Sequence, residues 1–351
     1  MLNSLELIRD LISIPAPPGE EARVIRSLAP KLIAMGYAPE IDAKGNLLVE
    51  VGESRDETDA PAILVTAHMD EIGLIVTGID EDGKVRVAAM GGTYAWKWGE
   101  GAVEILTFSG ESITAILSYG SIHTNHPDSV TEFARHNPLT FKQAFLFTGK
   151  TKAQLTEAGV VPGVRVALSP SRRVVTEIGD FVASYFLDDR ADLAVWLMAL
   201  ERLKDKKLSV PVTFAATTYE EVGGEGTRYI LNGENYDICV ALEIGPKTPE
   251  NTFEIDSTPT IWVQDGYASL DPQDGRILME VCTQLGYAPH WHFLSRGGSD
   301  ASCASALGQV ARPVTLAFPT ENSHGYEIIH KDAPERLTEL LLAYLERVSQ
   351  F

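Results

Sequence analysis

The sequence predicts an α/β protein with a mostly parallel central sheet flanked by helices, into which a small β-rich domain is inserted. Apolar runs typical of buried strands alternate with segments of helical periodicity at both ends of the chain. Between residues 76 and 179 this alternation stops, and short alternating runs separated by turn signals replace it. We therefore expect one domain from residues 1–75 and 180–351, interrupted by an inserted domain at 76–179.

The first 75 residues carry two helical patterns followed by extended segments. Apolar residues recur at helical spacing in the first pattern, and a stretch rich in proline and glycine then breaks the chain. The apolar run before His68 is typical of a central parallel strand. The expected helices are 2–14 and 21–35, and the expected extended segments are 39–42, 47–51 and 62–67.

The inserted segment shows the pattern of a small β-domain such as a barrel. Turn signals such as Gly91-Gly92 and Val161-Pro162-Gly163 separate its short runs. One helical piece is expected at 150–158. The expected strands are 85–88, 103–107, 112–118 and 164–168.

Alternation of strands and helices resumes after residue 179. Repeated units of this kind imply parallel strands with helices on both faces of the sheet. Asp332 and Glu335 form a start resembling a capping box for the last helix. The expected strands end near residues 187, 218, 242, 294 and 318, and the expected helices are 191–203, one from about 226, 275–285, 299–307 and one ending near 348.

Composition narrows the possible partners and location. The chain has 351 residues, 44% of them hydrophobic, and a formal charge of -20. Nucleic acid is not an expected partner, because phosphate binding needs a basic surface. No apolar stretch approaches the roughly 20 residues that cross a bilayer, and the N-terminus lacks the features of a signal peptide. Three widely spaced cysteines (Cys239, Cys282 and Cys303) fit reduced core positions, so we expect a cytoplasmic protein.

Metal-capable side chains follow five separate apolar runs. In open α/β sheets, ligands bind outside the carboxyl ends of the strands, so we expect these side chains to meet there. Two imidazoles and three carboxylates suit a pair of divalent cations that share one carboxylate, with zinc the first choice and cobalt or manganese possible. The five residues are His68, Asp188, Glu221, Glu243 and His324.

Neighbouring residues fit supporting roles at such a site. If the chain stays extended past the strand, Asp70 can accept the spare N–H of His68 and fix its tautomer. Glu220 and Glu221 are adjacent carboxylates, which repel each other unless a cation or a proton lies between them. One of the two would bind metal, and the other would act as a general base. The alternatives are a solvated histidine at a strand end and an acidic surface turn.

Two further motifs allow both a structural and a functional interpretation. Asp188 or Asp189 fits an ordinary helix N-cap, although three aspartates around Arg190 exceed what a cap needs, and Arg190 would neutralise one of them.

A glycine turn at Gly297-Gly298 leads into a helix start at Asp300. That aspartate is either an acid favoured by the helix dipole or a residue that helps hold a substrate amine. We therefore take Asp300 and Gly298 as candidate substrate-binding residues, with His123 as a further candidate for the lining of the cleft.

Six motifs together resemble family 42 of the metallopeptidases, the tetrahedral aminopeptidases. Their order and spacing match across nearly the whole chain, and the β-rich segment lies where that family inserts an oligomerisation domain. The resemblance implies a zinc-peptidase-like fold with a PDZ-like insertion. The motifs are AHMDEIG at 67–73, LDDRAD at 187–192, YEEVGGEGT at 219–227, ALEIG at 241–245, GGSDAS at 297–302 and NSHGYE at 322–327.

The resemblance also implies residue roles. Asp188 is similar to the bridging carboxylate of that family, and Glu220 is similar to its general base. His68 and Glu243 would hold one metal, and Asp70 would orient His68. Glu221 and His324 would hold the other metal. Glu243 stands where the family more often has aspartate, which changes the length of one ligand.

The residues predict a two-metal hydrolase, and the resemblance implies that it is an aminopeptidase that acts on peptide or aminoacyl substrates. The resemblance adds dimers assembled into a tetrahedral dodecamer. The alternatives are a dinuclear N-acyl amino-acid deacylase or carboxypeptidase-like enzyme, a glycosidase that uses paired carboxylates without metal, and a metal-binding relative without activity.

Overall fold

The computed structural model describes residues 2–53, 58, 60–206 and 208–349. It contains an eight-stranded mixed sheet, a closed six-stranded barrel and a small three-stranded sheet. In chain order the helices are α1 (Ser4–Ile12), α2 (Ala22–Ala34), α3 (Ala95–Trp98), α4 (Val130–Ala134), α5 (Lys152–Glu157), α6 (Leu187–Leu203), α7 (Glu225–Gly233), α8 (Pro272–Gln284), α9 (Asp300–Ser305) and α10 (Ala333–Val348). The strands are β1 (Glu40–Ile41), β2 (Leu47–Gly52), β3 (Ile63–His68), β4 (Gly73–Ile79), β5 (Val85–Met90), β6 (Gly101–Leu106), β7 (Ser112–Ser118), β8 (Phe145–Phe147), β9 (Arg165–Leu168), β10 (Thr176–Ile178), β11 (Phe181–Tyr185), β12 (Pro211–Thr217), β13 (Ile238–Pro246), β14 (Thr260–Gln264), β15 (His290–Phe293), β16 (Arg312–Thr320) and β17 (Tyr326–His330).

The central sheet confirms the predicted mostly parallel α/β architecture. Its strand order is β1-β2-β12-β3-β13-β16-β14-β15. The four middle strands, β12, β3, β13 and β16, run parallel to one another. Antiparallel pairs join this group to β2 on one side and to β14 on the other. The carboxyl ends of four neighbouring strands therefore meet at one edge of the sheet.

Helices cover both faces of this sheet, which explains why its middle strands are apolar on both sides. Two hydrophobic clusters lie on opposite faces of the sheet, a larger one and a smaller one. Successive residues of β3 point into different clusters: Val65 belongs to the larger and Leu64 to the smaller. The larger cluster includes α6, which packs against α1, α10, β3 and β13. The smaller cluster includes Ile230 of α7 and Ala304 of α9. The sheet thus forms a rigid base for the residues at its edge.

The barrel is formed by β4, β5, β8, β7, β6 and β9, and its strands pair antiparallel. It has a core of its own, in which Leu74, Val103, Leu117 and Val166 are fully buried and Trp98 of α3 is 1% exposed. Its strands lie between Gly73 and Leu168. The predicted small inserted barrel is therefore present, and its first strand begins before residue 76.

One strand does not lie where the sequence predicts it. The run ending near residue 187 is not part of the central sheet, because β11 pairs antiparallel with β10 and β17 in the three-stranded sheet. An apolar run indicates a strand but does not specify its partners. The partner strand β17 follows the loop that carries His324. Through this pairing Asp188, just after β11, still comes close to the edge of the central sheet.

None of the helices among the described residues is both long enough and apolar enough to cross a membrane.

Candidate metal centre

The strand register brings the predicted ligands to one level. His68 is the last residue of β3 and pairs with Thr217, the last residue of β12. In the neighbouring pair of strands, Ala241 pairs with Thr66, so Glu243 lies level with His68. Glu243 therefore lies inside β13, which continues to Pro246, and not just past its end as the sequence predicts. The longer strand keeps its backbone paired with β16.

All five predicted ligands come together in two overlapping groups. Within each group, one ligand atom from every residue lies within 4.8 Å of the others. Asp188 belongs to both groups: its Oδ1 lies 3.0 Å from Nε2 of His68 and its Oδ2 lies 3.4 Å from Nε2 of His324. The first group is His68, Asp188, Asp189 and Glu243, and the second is Asp188, Glu221 and His324.

Crowding of buried carboxylates disfavours their charged forms. Burial is the largest influence, and it raises the pKa of Glu221 to about 7. Burial and the charge of Asp188 raise the pKa of Glu243 well above its usual range. Burial also acts to raise the pKa of Asp188, but hydrogen bonds from His324 and His68 outweigh it and lower that pKa. A bound cation would stabilise all of these carboxylates in their charged form.

Both imidazoles experience a strong negative potential. Burial acts to lower the pKa of His68, but the charge of Asp189 and the contact with Asp188 outweigh it and raise the pKa well above the usual range. His324 behaves in the same way, with Glu221 and Asp188 opposing the effect of burial. The surroundings therefore favour positive charge next to each of the two carboxylate oxygens of Asp188, whether on a protonated imidazole or on a cation.

The donor set fits divalent cations by its chemistry. Imidazole nitrogens and carboxylate oxygens are the ligands that zinc, cobalt and manganese share. Among the described residues, Oε1 of Glu221 and Oδ1 of Asp189 are buried and have no hydrogen-bond partner. A buried carboxylate oxygen without a partner is costly, so these atoms are matched to a ligand that supplies positive charge. The residues therefore fit the metal ions that the sequence predicts.

Asp70 supports the site differently from the prediction. Nδ1 of His68 lies 3.1 Å from the backbone carbonyl oxygen of Asp70 but 3.5 Å from its carboxylate. The carboxylate instead accepts hydrogen bonds from the backbone N–H groups of Glu220 and Glu221, at 3.0 and 3.1 Å. The carbonyl orients the imidazole of His68, and the side chain orients the turn that carries the two glutamates. The shorter contact of the imidazole is therefore with the backbone of Asp70, although the carboxylate stays within ion-pair distance.

Glu220 lies beside the metal-capable residues and lines the adjoining cleft. Its Oε2 is 3.9 Å from Nε2 of His68, and 11% of its side chain is exposed. Burial, with the charges of Asp300 and Glu221, raises its pKa well above its usual range. A carboxyl group with a raised pKa at the edge of a cleft suits proton transfer near neutral pH.

Glu327 is a supporting residue that sequence reasoning missed. It lies on β17, and its carboxylate accepts hydrogen bonds from the backbone N–H groups of Asp188 and His324, at 3.0 and 2.8 Å. Burial and the charge of Asp188 raise its pKa to about 8. Glu327 connects the two chain segments that carry the shared ligand and one imidazole. Burial alternates along β17 and places Glu327 on its buried side, but the residues from Tyr326 to His330 do not alternate between apolar and polar, so the sequence carries no signal for this role.

The expected neutralisation of an aspartate by Arg190 is wrong. Arg190 pairs with Glu71 at 2.9 Å and donates to the backbone carbonyl oxygen of Met69. Arg173 pairs with the same carboxylate, and all three side chains are fully buried. Arg190 points away from the aspartates because Glu71 offers a buried partner behind the loop after β3. Asp189 instead accepts a hydrogen bond from the backbone N–H of His68 at 2.7 Å.

The three candidate substrate-binding residues lie in different surroundings. Gly298 lines the cleft, where a Cβ would lie 2.4 Å from the ring of Tyr267. Asp300 is 2% exposed and accepts a hydrogen bond from Thr217 at 2.6 Å, which places it behind the cleft wall. His123 is exposed on the barrel segment, beside Ser121, and is not among the residues that line the cleft.

A cleft of about 570 Å³ opens beside the two ligand groups. Its lining combines aromatic side chains with two cationic ones from separate parts of the chain. Lys97 and Trp96 come from the barrel unit, and Arg296, Trp262 and Tyr267 come from the sheet unit. Sequence reasoning missed these residues, because no local pattern marks loops that meet only in the fold.

Left-handed backbone conformations concentrate around the site. Among the described residues, the non-glycine residues with positive φ are Phe186, Tyr219, Asn322 and His324. His324 is itself one of the metal-capable residues. Each of the other three lies within two positions of a metal-capable residue. Such conformations cost on the order of 1–3 kcal/mol each and persist where the surrounding structure fixes them. The site is therefore held in place by its surroundings.

Comparison with known proteins identifies the family. A family model described as M42 glutamyl aminopeptidase matches residues 45–340. The chain belongs to this family. M42 membership supports hydrolase activity of the aminopeptidase type and implies a divalent metal, and the buried histidine and carboxylate groups are able to hold one.

Individual relatives and solved structures match over most of their length. The glutamyl aminopeptidase of Lactococcus lactis subsp. cremoris (strain MG1363) is 25% identical over 334 residues, which cover 92% of this chain and 90% of the relative. Among solved structures, an aminopeptidase from the archaeon Desulfurococcus kamchatkensis has a TM-score of 0.85 at 25% identity, covering 98% of this chain and 94% of the other. The TET1 peptidase of Pyrococcus horikoshii, which can assemble into a tetrahedron or a large octahedral shell, has a TM-score of 0.82 at 24% identity and covers 97% of this chain and 98% of its own.

Proposed function

We propose that this M42 protein is a dinuclear metal-dependent aminopeptidase that removes N-terminal residues from peptides. The observation that carries the proposal is the position of Asp188, whose two carboxylate oxygens face two different imidazoles. A carboxylate shared between two ligand groups is the arrangement that a pair of cations requires.

The proposed ligands divide into a shared residue and two pairs. Asp188 would bridge, His68 and Glu243 would complete one position, and Glu221 and His324 would complete the other. Zinc is the first choice for this donor set, and cobalt or manganese would also suit it. When bound, such cations polarise a carbonyl group and lower the pKa of water to near 7.

Glu220 would act as the general base and then as the general acid. In its ionised form it takes a proton from the attacking water, and the resulting hydroxide adds to the scissile carbonyl carbon. The protonated Glu220 then donates that proton to the leaving amine as the C–N bond breaks. Proton transfer of this kind contributes roughly 10²–10⁴-fold to the rate. The raised pKa of Glu220 supports the acid role, because burial favours the protonated form that donates to the leaving amine.

Charge supports selection of a free N-terminus. The cleft is lined by Asp188, Glu220, Glu221 and Glu243, so with cations bound beside them it would attract the free α-amino nitrogen of a substrate to a metal or to a nearby carboxylate. An N-acylated substrate lacks that amine and would lose the attraction. This distinction separates an aminopeptidase from a deacylase or a carboxypeptidase-like enzyme.

The decisive experiment replaces the proposed base while the ligands stay intact. Glu220→Gln should retain two metals per chain, measured by elemental analysis, and lose on the order of 10² or more in kcat on aminoacyl-p-nitroanilides. Glu225→Gln is the matched control, since Glu225 is a nearby exposed carboxylate paired with Lys44 at 2.5 Å. N-acetylated analogues should not be hydrolysed by the wild-type enzyme, and a chelator should abolish its activity. Near-normal activity of Glu220→Gln would contradict the assignment of the base.

We also propose that the protein forms a homo-oligomer through the inserted unit at 76–179. A groove of about 470 Å³ on this unit is lined largely by apolar side chains, and Trp96 and Ile122 there are 70% and 73% exposed. Apolar surface of this kind favours association. Dimers and a tetrahedral dodecamer are the expected states, and light scattering coupled to size-exclusion chromatography measures them. A cytoplasmic location is consistent with the three free cysteines.

A further inference from the structure

The barrel unit contacts the loop that carries His324. Lys97 of α3 donates through Nζ to the backbone carbonyl oxygen of Ser323 at 3.1 Å and to the side-chain oxygen of Asn322. Its aliphatic stem packs against Gly325, where a Cβ would lie 2.8 Å from Cδ of Lys97. Lys97 therefore contacts the chain on both sides of His324.

A second barrel segment contacts His324 directly. Nδ1 of His324 lies 3.0 Å from the backbone carbonyl oxygen of Gly92, which accepts the N–H of that nitrogen and leaves Nε2 facing Asp188. The approach is close, because a Cβ on Gly92 would lie 2.9 Å from the imidazole ring. Gly91 is similarly close to Glu221, with a Cβ position 3.2 Å from Oε2. The barrel thus packs against both unshared ligands of one proposed metal position.

The His324 loop depends on such contacts for its shape. Asn322 and His324 have φ values of 63° and 57°, in the left-handed region that non-glycine residues rarely adopt. Residues persist in this region where the surroundings fix them. The side chain of His324 is 30% exposed, whereas that of His68 is 2% exposed and is enclosed by the sheet. The proposed position that uses His324 is therefore the one that external contacts can adjust.

We propose that Lys97 is a positioning residue that holds the His324 loop, so that the barrel sets the affinity of one metal position and leaves the other unaffected. The inference rests on the proposed dinuclear function. In metal sites, hydrogen-bond partners outside the ligand shell orient the metal-bound histidines. Lys97 and the backbone of Gly92 would have this role for His324. The other position uses His68 of β3 and Glu243 of β13, both in the central sheet.

The test measures two metal affinities separately. Metal-free protein is titrated with Co²⁺, and the visible absorption spectrum and equilibrium dialysis give the stoichiometry and both dissociation constants. Lys97→Met keeps the aliphatic stem and removes the donor, and Lys97→Arg restores a donor. Lys152→Met is the matched control, because Lys152 is a barrel lysine paired with the exposed Glu81 at 2.5 Å.

Lys97→Met should raise the dissociation constant of one Co²⁺ only, the ion assigned to the position with Glu221 and His324. We expect about tenfold, the lower end of the effect that outer hydrogen-bond partners have on metal affinity. Lys97→Arg should recover most of that loss, and Lys152→Met should match the wild type. Gly92→Ala provides an independent variant from the other barrel segment, and it should weaken the same Co²⁺. Activity of Lys97→Met should fall at limiting metal and return toward the wild-type kcat at saturating metal.

Three outcomes would overturn the inference. Unchanged dissociation constants in Lys97→Met would remove its positioning role. Equal weakening of both metals would indicate a general structural effect. An increase in KM with unchanged metal affinities would instead make Lys97 a substrate contact, since it also lines the cleft. A wild-type protein that binds fewer than two Co²⁺ would contradict the proposed function itself, and that result is distinguishable because it does not involve a variant.

Discussion

A buried cluster of one carboxylate and two guanidinium groups is expected to contribute strongly to stability. Glu71 accepts hydrogen bonds from Arg173 at 2.6 Å through each of its oxygens and a further one from Arg190 at 2.9 Å. All three side chains are fully buried. The guanidinium groups also donate to backbone carbonyl oxygens of Ile12 and Met69. The cluster therefore joins the end of α1, the loop after β3 and the start of α6.

Glu71→Gln tests this contribution with almost no change in shape. The substitution leaves two buried cations without a neutralising charge, and loss of one partner of a buried ion pair costs about 3–5 kcal/mol. The amide still accepts one hydrogen bond, so we expect about 3 kcal/mol, the lower limit of that range. With about 2.1 cal/mol/K of unfolding entropy per residue over 351 residues, this corresponds to a fall of about 4 °C in Tm.

Differential scanning calorimetry on the metal-free protein measures this shift without a contribution from bound ions. Glu177→Gln is the matched control, because Glu177 is 58% exposed and pairs with Arg9 at the surface. Exposed pairs contribute little, so the control should lower Tm by less than about 1 °C. If Glu71→Gln lowers Tm no more than Glu177→Gln, the buried cluster contributes no more than a surface pair, and the reasoning is wrong.

Two further predictions concern the turn after β12 and the loop before α2. Asp70→Asn keeps one acceptor for the N–H groups of Glu220 and Glu221, so we expect a fall of about 10- to 100-fold in kcat with normal folding; an unchanged kcat would show that the turn holds its shape without the carboxylate. Burial, with the charge of Asp70, raises the pKa of Glu21 from 4.5 to about 7, so the folded state retains a proton that the unfolded state has lost between these values. The stability of the metal-free protein should therefore fall as pH rises through this window, and Glu21→Gln should reduce the slope by at most about 1.4 kcal/mol per pH unit; denaturant titrations that give equal slopes would refute this.

The sequence specified the metal-capable residues because strand direction and strand ends are local properties. Apolar runs followed by His68, Glu221, Glu243 and His324 belong to four parallel strands, and parallel strands end at one edge. The only additional requirement was that the strands be neighbours. That requirement follows from the βα alternation.

The contacts of the supporting residues could not be predicted, because their partners are distant in the chain. The carboxylate of Asp70 is used by the turn 150 residues later, and Glu327 reaches back 139 residues to Asp188. Lys97 contacts a side chain 225 residues away. Each of these contacts depends on how the barrel or the three-stranded sheet is placed on the central sheet. A strand pattern such as that before Asp188 specifies the period but not the pairing, which is why β11 was assigned to the wrong sheet.

Charge balance gives a physical reason for the composition of the site. Asp188, Glu220, Glu221 and Glu243 would carry four negative charges when ionised, and two divalent cations carry four positive ones. Without cations, burial raises the pKa of the three glutamates, so protons would neutralise them instead. Binding two cations thus replaces protons without leaving a large net charge in a buried space. The three ligand carboxylates and the neighbouring Glu220 together therefore balance the charge of a cation pair when all four are ionised.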